Sequence, residues 1–138
     1  MNFEVDNRIQ ANNFFLGDWP LSCVYLKNEA HFPWMILVPR QLNVQEIHEL
    51  SVGNREQLMR ELSALSMLIQ DVFSPDKLNV GALGNIVPQL HLHVVARYKN
   101  DLLWPHGVWQ PHVETLPYPD ARLIELLPIL KQKISLFT

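Results

Sequence analysis

The stretch Gln89 to Val95, QLHLHVV, constrains the fold most strongly, because its polar and apolar side chains alternate. Successive side chains of a β-strand point to opposite faces of the sheet. Gln89, His91 and His93 are therefore expected on one face, and the intervening apolar residues on the other. The pattern predicts a strand whose apolar face packs on the core, while its other face presents one amide and two imidazoles.

A loop with two glycines, Gly81 and Gly84, precedes this strand. Glycine allows sharp turns and a close approach of the backbone to a ligand. Backbone N–H groups in such a loop can bind phosphate. The residues alone leave three interpretations of His91 and His93 open: surface residues, a pair of metal ligands, or part of an anion-binding site.

The remaining hydrophobic patterns predict an α+β domain with an antiparallel sheet and helices on one face. The predicted strands are 21–27, 34–38, 78–81 and 89–98. The clearest helix begins after the capping residue Ser51 and ends near Phe73. Its apolar stripe has helical spacing and consists of Leu58, Leu62, Leu65, Ile69 and Val72.

Three further segments are predicted to be helical. A short helix is expected over 3–15, with Asp6 as its cap, and a helical turn over 44–50. A C-terminal helix is expected from Asp120 to about Phe137, with a kink at Pro128, because proline lacks the backbone donor. Met59 and Met67 are interpreted as packing residues of the central helix.

The segment 100–119 contains four prolines and two tryptophans. It is too rich in proline for regular structure and too aromatic for a solvated linker, so we expect it to lie against the body or a partner subunit. His106 and His112, with Trp104 and Trp109, are interpreted as packing or surface residues, with closure of a site as the alternative. His31 and His48 are expected to face solvent.

Composition predicts one domain over residues 1–138, with a core of about 3–98. The net charge of −3 provides no basic field for bulk nucleic-acid binding. The single Cys23 cannot form an intramolecular disulfide, so a reducing compartment, the cytoplasm, is expected. The N-terminus has no signal-peptide pattern, and the longest apolar run is too short to span a membrane.

The stretch QLHLHVV resembles the motif of the histidine triad (HIT) family, in which three histidines alternate with apolar residues. Gln89 stands where the first histidine is usual. The segment 24–40, VYLKNEAHFPWMILVPR, is similar to the two leading strands of that family. The resemblance covers roughly 21–98 and is strongest to a bacterial branch of HIT hydrolases.

The resemblance implies a nucleotide hydrolase that works through a nucleotidyl-histidine intermediate. His91 corresponds to the nucleophile that attacks the α-phosphorus, and His93 to the residue that binds phosphate oxygens. Gln89 can form hydrogen bonds but cannot titrate. The implied substrates are dinucleoside polyphosphates, including diadenosine polyphosphates, or nucleoside phosphoramidates, and no metal or other cofactor is expected.

The same resemblance implies four substrate-binding residues and a quaternary structure. Asn28 corresponds to the residue that contacts the ribose, and Asn79 to an asparagine that orients the site near the phosphates. Gly84 and Asn85 lie where the family's loop approaches the phosphates. The family joins two subunits into one continuous sheet, which implies a homodimer.

Two alternatives to the enzyme remain. The chain is either a nucleotide-binding module that has lost turnover, with Gln89 as the mark of that loss, or a metal-binding sheet that uses His91 and His93. A structural zinc site takes four ligands, so a metal site needs additional histidines such as His106 or His112.

Overall fold

The computed structural model describes residues 2–111 and 114–137, which form a five-stranded antiparallel sheet with two long helices on one face. The strands are β1 (Asn13–Asp18), β2 (Ser22–Lys27), β3 (Trp34–Pro39), β4 (Lys77–Gly81) and β5 (Leu92–Arg97). The α-helices are α1 (Asn7–Ala11), α2 (Val52–Phe73) and α3 (Asp120–Ser135), and a 3-10 turn covers Ile47–Glu49. The strand order β1-β2-β3-β5-β4 places β1 and β4 at the edges.

The antiparallel sheet with both long helices on one face confirms the predicted fold class, although the short α1 lies on the other face. On one face, buried residues of β2, β3 and β5 pack against α2 and α3. On the other face, α1 and the proline-rich segment cover the sheet: Ile9 and Val108 are buried there beside Trp34 and Val95. The expectation that the proline-rich segment lies against the body is therefore confirmed.

The central helix begins and ends as predicted. Ser51 accepts a hydrogen bond from the backbone N–H of Asn54, and Ser74 ends the helix in a left-handed conformation. Leu58, Leu65 and Ile69 of the predicted stripe are buried against the sheet. Capping of this kind contributes about 1 kcal/mol, whereas the packing of the stripe fixes which face of the helix meets the sheet.

The N-terminal prediction is wrong beyond the first turns. Asp6 does cap a helix, but α1 ends at Ala11, and Phe14 and Phe15 belong to β1. Residues 13–18 pair with 23–27 of β2, with an irregularity between Phe15 and Gly17. Pairing with a neighbouring strand satisfies a row of backbone groups at once, so it overrides the weak helical pattern of this short segment.

One other prediction about the helices is wrong. Met59 and Met67 do not pack in the core: both are exposed, and they line an apolar groove of about 680 Å³ between α2 and the end of α3. The predicted C-terminal helix is present as α3, which includes Pro128 and extends to Ser135. None of the helices in the described part of the chain is long and apolar enough to cross a membrane.

Candidate functional site

A cavity of about 350 Å³ opens beside the two motif histidines. It brings together residues from β2, β3, the loop after β4, the beginning of β5 and the proline-rich segment. Its lining consists of Lys27, Trp34, Leu83, Gly84, Asn85, Ile86, Val87, His91, His93 and Trp109. None of these lining residues carries a carboxylate, so the charge that they contribute can only be positive. Such a lining favours an anionic ligand.

A backbone carbonyl fixes the tautomer of the neutral His91 ring. Its Nδ1 lies 2.7 Å from the carbonyl oxygen of Gln89. A carbonyl can only accept a hydrogen bond, so Nδ1 carries a proton, and in the neutral imidazole Nε2 keeps its lone pair. His91 is buried and lines the cavity. The arrangement therefore provides an imidazole whose unprotonated nitrogen is Nε2, the form that can attack an electrophile.

His93 has the opposite tautomer. The indole Nε1 of Trp34 lies 2.8 Å from His93 Nδ1, and an indole nitrogen can only donate. Nδ1 of His93 is therefore unprotonated and the proton sits on Nε2. Burial is the main cause that lowers the pKa of His93, and together with the neighbouring His91 and Lys27 it brings this pKa to about 3. The ring centroids of the two histidines are 4.9 Å apart.

Lys27 is a cavity residue that the sequence analysis did not identify. Its ammonium group lies 5.1 Å from the centroid of the Trp34 ring. Burial lowers the pKa of this ammonium, whereas Glu29 acts to raise it. The available signal was its position at the end of β2, directly before Asn28, on the same face of the strand as the buried Tyr25.

Trp109 forms a wall of the cavity, in line with the alternative interpretation in which the proline-rich segment closes a site. Its ring lies edge-on to Trp34 and His93, at centroid distances of 6.2 and 6.1 Å. Gly81, which lies opposite His93 in the sheet, makes room for it. A Cβ atom at Gly81 would lie 3.2 Å from Trp109 Cη2. The absence of a side chain at Gly81 therefore allows the indole to pack at the site.

The loop 82–88 contributes the predicted residues Gly84 and Asn85 to the cavity. Gly84 has a φ of +71°, a conformation that strains residues with a Cβ atom. Arg8 of α1 donates to the carbonyl oxygen of Ile86 at 3.1 Å and so ties the loop to the body. The structure thus places both residues of the predicted phosphate loop beside His91 and His93.

Gln89 does not share a face with both histidines, and that expectation is wrong. The strand β5 begins at Leu92, so Gln89 precedes it. Its amide donates to the carbonyl of Glu4 and accepts from the backbone N–H of Asp6, both at 2.9 Å. Its side chain lines a separate cavity of about 280 Å³. The amide therefore holds the N-terminal segment in place, while the Gln89 backbone carbonyl orients His91.

The two predicted asparagines lie outside the lining of the histidine cavity. Asn28 accepts a hydrogen bond from the backbone N–H of Tyr118 at 2.8 Å. Together with Lys27 it lines an adjoining cavity of about 300 Å³, so Lys27 borders both cavities. Asn79 instead accepts a hydrogen bond from Arg97 Nη1 at 2.9 Å.

The other histidines that the structure describes, His31, His48 and His106, do not line the cavity with His91 and His93. His48 and His106 are exposed, as expected, whereas His31 is partly buried and contacts Glu29 at 3.2 Å. His112 lies outside the described residues. Within 2–111 and 114–137, no three side chains of histidine, cysteine, aspartate or glutamate come together as a group that could hold a metal ion.

Comparison with known proteins places this architecture beside solved bacterial structures. A family model described as HIT domain matches residues 8–100. A histidine triad protein from Marinobacter aquaeolei VT8 is 38% identical over 100% of both chains, with a TM-score of 0.94. One from Bradyrhizobium japonicum is 36% identical over 97% of this chain and 99% of that one, with a TM-score of 0.92. A search of curated proteins found no match.

Proposed function

Because the chain belongs to the HIT domain family, we propose that it is a nucleotide-binding hydrolase that cleaves nucleotide conjugates at the α-phosphorus. The observation that carries the proposal is the hydrogen bond of 2.7 Å between His91 Nδ1 and the carbonyl of Gln89. In the neutral imidazole this hydrogen bond leaves Nε2 unprotonated, in a cavity whose lining has no carboxylate. The candidate substrates are dinucleoside polyphosphates and nucleoside phosphoramidates.

In the first step, His91 Nε2 attacks the α-phosphorus. A P–N bond forms, and the bond between phosphorus and the leaving group breaks with its electron pair on the leaving group. The positive charge that develops on the His91 ring is shared with Nδ1, whose hydrogen bond to the Gln89 carbonyl strengthens as the ring becomes cationic. This hydrogen bond thus stabilises the intermediate more than the free enzyme.

In the second step, water attacks the phosphorus of the nucleotidyl-histidine. The P–N bond breaks, His91 returns to its neutral form, and the proton lost by water passes to solvent or to the released nucleoside monophosphate. The Nε2–H of His93 and the ammonium of Lys27 stabilise the phosphate oxygens in both steps. This electrostatic stabilisation is larger in a partly buried site than in bulk water, because charges are screened less there.

The adjoining cavity is where we propose that the nucleoside binds. Asn28 already accepts a hydrogen bond from Tyr118 through its Oδ1, which leaves its Nδ2–H groups to contact the ribose. Lys27 borders both cavities, so it lies between the proposed sites of the sugar and the phosphate. Gly84 and Asn85 approach the phosphates from the loop. Asn79 acts indirectly, by orienting the end of β4 through Arg97.

Two broader properties complete the proposal. The protein forms a homodimer in which two sheets become continuous, because β1 and β4 leave open edges. It acts in the cytoplasm, consistent with one buried thiol, Cys23, whose pKa burial raises to about 11.

A nucleotide-binding module without turnover is the second candidate, and the position of Gln89 favours it. The amide of Gln89 is engaged with Glu4 and Asp6 and supplies no titratable group to the cavity. Such a module retains affinity for nucleotides but forms no covalent intermediate.

The deciding experiment is a screen of the purified protein against nucleotide conjugates, with His91→Ala as the blank and His106→Ala as the matched control. His106 is exposed and lies outside the cavity lining. His91→Ala should lose several orders of magnitude in turnover and keep nucleotide binding, because only the bond-forming atom is removed. A rapid quench in alkaline denaturant should trap a nucleotide on His91, and acid should then release it, because a P–N bond to imidazole is stable to base and labile to acid. Binding without release of nucleoside monophosphate would favour the module, and unchanged turnover in His91→Ala would exclude His91 as the nucleophile.

A further inference from the structure

The hydrogen bond between Trp34 and His93 limits the chemistry that the cavity can perform. The donor is an indole N–H at 2.8 Å from Nδ1, and an indole nitrogen has no lone pair with which to accept. Protonation of His93 at Nδ1 would place two hydrogens between Nδ1 and the indole nitrogen of Trp34, where there is room for one. His93 must therefore break the contact before it can become an imidazolium.

The groups around His93 disfavour its protonation, and none of those named below carries a negative charge. His91 stands two residues before it on the chain, and Lys27 approaches from β2. Ile36 of β3 and Gly81 of β4 are its partners in the sheet, and neither carries a charge. Burial adds the largest contribution and, with His91 and Lys27, lowers the pKa of His93 to about 3. Near neutral pH, His93 is a neutral donor through Nε2–H.

A neutral imidazole cannot serve as a general acid, since loss of its remaining proton would leave an imidazolate. This restriction affects the two candidate substrate classes, dinucleoside polyphosphates and nucleoside phosphoramidates, differently. An amine must take up a proton as its bond to phosphorus breaks, because an amide anion is a very poor leaving group. A phosphate departs with the electron pair of the broken P–O bond as a stable anion and needs no proton.

We propose that the Trp34–His93 hydrogen bond restricts this enzyme to nucleotide conjugates whose leaving group departs as an anion, the class of phosphate anhydrides. In the balanced step, His91 Nε2 forms a bond to the α-phosphorus while the P–O bond to the distal phosphate breaks. The electron pair stays on the departing oxygen, and Lys27 balances the new negative charge. Trp34 is thus a positioning residue that acts through His93. The inference rests on the proposed function and names its substrate class.

The tautomer can be tested without any substrate. Long-range proton–nitrogen NMR spectra of the 15N-labelled chain, with His93→Gln for assignment, should show His93 as the neutral Nε2–H form from pH 5 to pH 8. In Trp34→Phe, which keeps an aromatic ring and loses the donor, the pKa of His93 should rise, and its neutral form should populate the Nδ1–H tautomer beside Nε2–H. Trp109→Phe is the matched control, since its ring also contacts His93 but its Nε1 has no hydrogen-bond partner among the described residues. A protonated Nδ1 in the wild-type chain would overturn the proposal.

The leaving-group preference is tested with two conjugates of the same nucleoside 5′-monophosphate, one with a phosphate leaving group and one with an alkylamine. The wild-type chain should cleave the anhydride with a kcat/KM at least about tenfold higher, because general acid catalysis contributes about 10²-fold or more where it operates. Trp34→Phe should narrow this ratio at pH 6, and Trp109→Phe should keep it even if its rate falls. Equal rates on both conjugates in the wild-type chain, or an unchanged ratio in Trp34→Phe, would overturn the proposal. Cleavage of neither would instead refute the hydrolase itself, and the NMR result would still show whether Trp34 fixes the tautomer.

Discussion

Arg97 donates two hydrogen bonds to the carboxylate of Asp101, from Nε at 2.8 Å and from Nη2 at 3.0 Å, and both side chains are almost fully buried. The same carboxylate accepts hydrogen bonds from the backbone N–H groups of Tyr98, Leu103 and Trp104. These contacts hold the pKa of Asp101 at about 2 against the opposing effect of burial. The ion pair therefore fixes the start of the proline-rich segment, which continues to the cavity wall at Trp109.

Asp101→Asn should lower the free energy of unfolding by about 3 kcal/mol or more. The substitution leaves the buried guanidinium of Arg97 without its counter-ion, and loss of one partner of a buried pair typically costs 3–5 kcal/mol. Urea unfolding at pH 7 measures the change. Asp71→Asn is the matched control, because the ion pair of Asp71 with Lys133 is largely exposed and should contribute little. Equal losses in the two variants would contradict this account.

Stability should fall with acidification in a window set by His93. The pKa of His93 is lowered from 6.5 to about 3 in the folded chain, so the unfolded chain binds more protons between these values. Stability is therefore complete above pH 6.5 and decreases as the pH falls toward 3. At pH 4 the loss is on the order of 3 kcal/mol, at about 1.4 kcal/mol per pKa unit.

The measurement is urea unfolding at several pH values from 7.5 to 4, with His93→Gln as the comparison. Asp6 and Asp101, whose pKa values are lowered from 3.8 to about 2, lose their contributions mainly below pH 3.8, outside the measured range. The slope between pH 6.5 and pH 4 should largely disappear in His93→Gln. A wild-type chain that is equally stable at pH 7 and pH 4.5 would show that His93 is not held neutral by the fold.

The sequence allowed prediction where a regular period runs through a whole element. The spacing of Leu58, Leu65 and Ile69 predicted α2 and the face that it buries, because the same stripe repeats over several turns. Val94 and Leu92 alternate with His93, and this alternation predicted β5 and its buried face. In both cases the signal lies within the element, and tertiary contacts reinforce it.

Prediction failed where a residue's surroundings come from a distant part of the chain. Gln89 continues the alternating pattern, yet its amide forms hydrogen bonds with the backbone of Glu4 and Asp6 near the N-terminus. Glu61 lies on the apolar stripe of α2 and is buried because it accepts a hydrogen bond from the backbone N–H of Leu21 at 2.7 Å. The periodicity of a segment cannot reveal such a hydrogen bond, because the backbone N–H that donates it lies in a distant part of the chain.

Lys27→Met should weaken binding of anionic nucleotides about tenfold or more, because hydrogen bonds to charged groups contribute about 1.5–3 kcal/mol. Methionine keeps the length of the side chain and removes only the ammonium. Calorimetric titration with a nucleoside monophosphate at low and high salt measures the effect, which should shrink as salt screens the charge. Lys131→Met, at an exposed position of α3, is the control. Equal nucleotide affinity in the two variants would show that the Lys27 ammonium does not contribute to binding.

The homodimer is expected to use the β4 edge of the sheet. Val80 on this strand is exposed, and so are Leu83 and Ile86 in the loop that follows. Light scattering at micromolar concentration should give about twice the chain mass of 16.0 kDa. Val80→Lys should yield the monomer, because a lysine on an edge strand opposes pairing, whereas Phe15→Lys on the opposite edge should stay dimeric. A wild-type mass near that of one chain would refute the dimer, and dissociation by Phe15→Lys alone would move the interface to β1.

Gln89→His should not add a third imidazole to the cavity, although it restores the motif typical of the family. The Gln89 amide donates to the carbonyl of Glu4 and accepts from the N–H of Asp6, two groups that an imidazole cannot meet with the same geometry. Loss of these hydrogen bonds should cost about 1–3 kcal/mol of stability. Turnover should not rise, since the side chain at this position points to the N-terminal segment, while the backbone carbonyl that orients His91 is unchanged. Urea unfolding and kcat/KM, measured beside Gln89→Glu, which keeps the acceptor and loses the donor, separate the two hydrogen bonds. A Gln89→His variant that is as stable as the wild type and several-fold faster would mean that residue 89 can turn into the cavity.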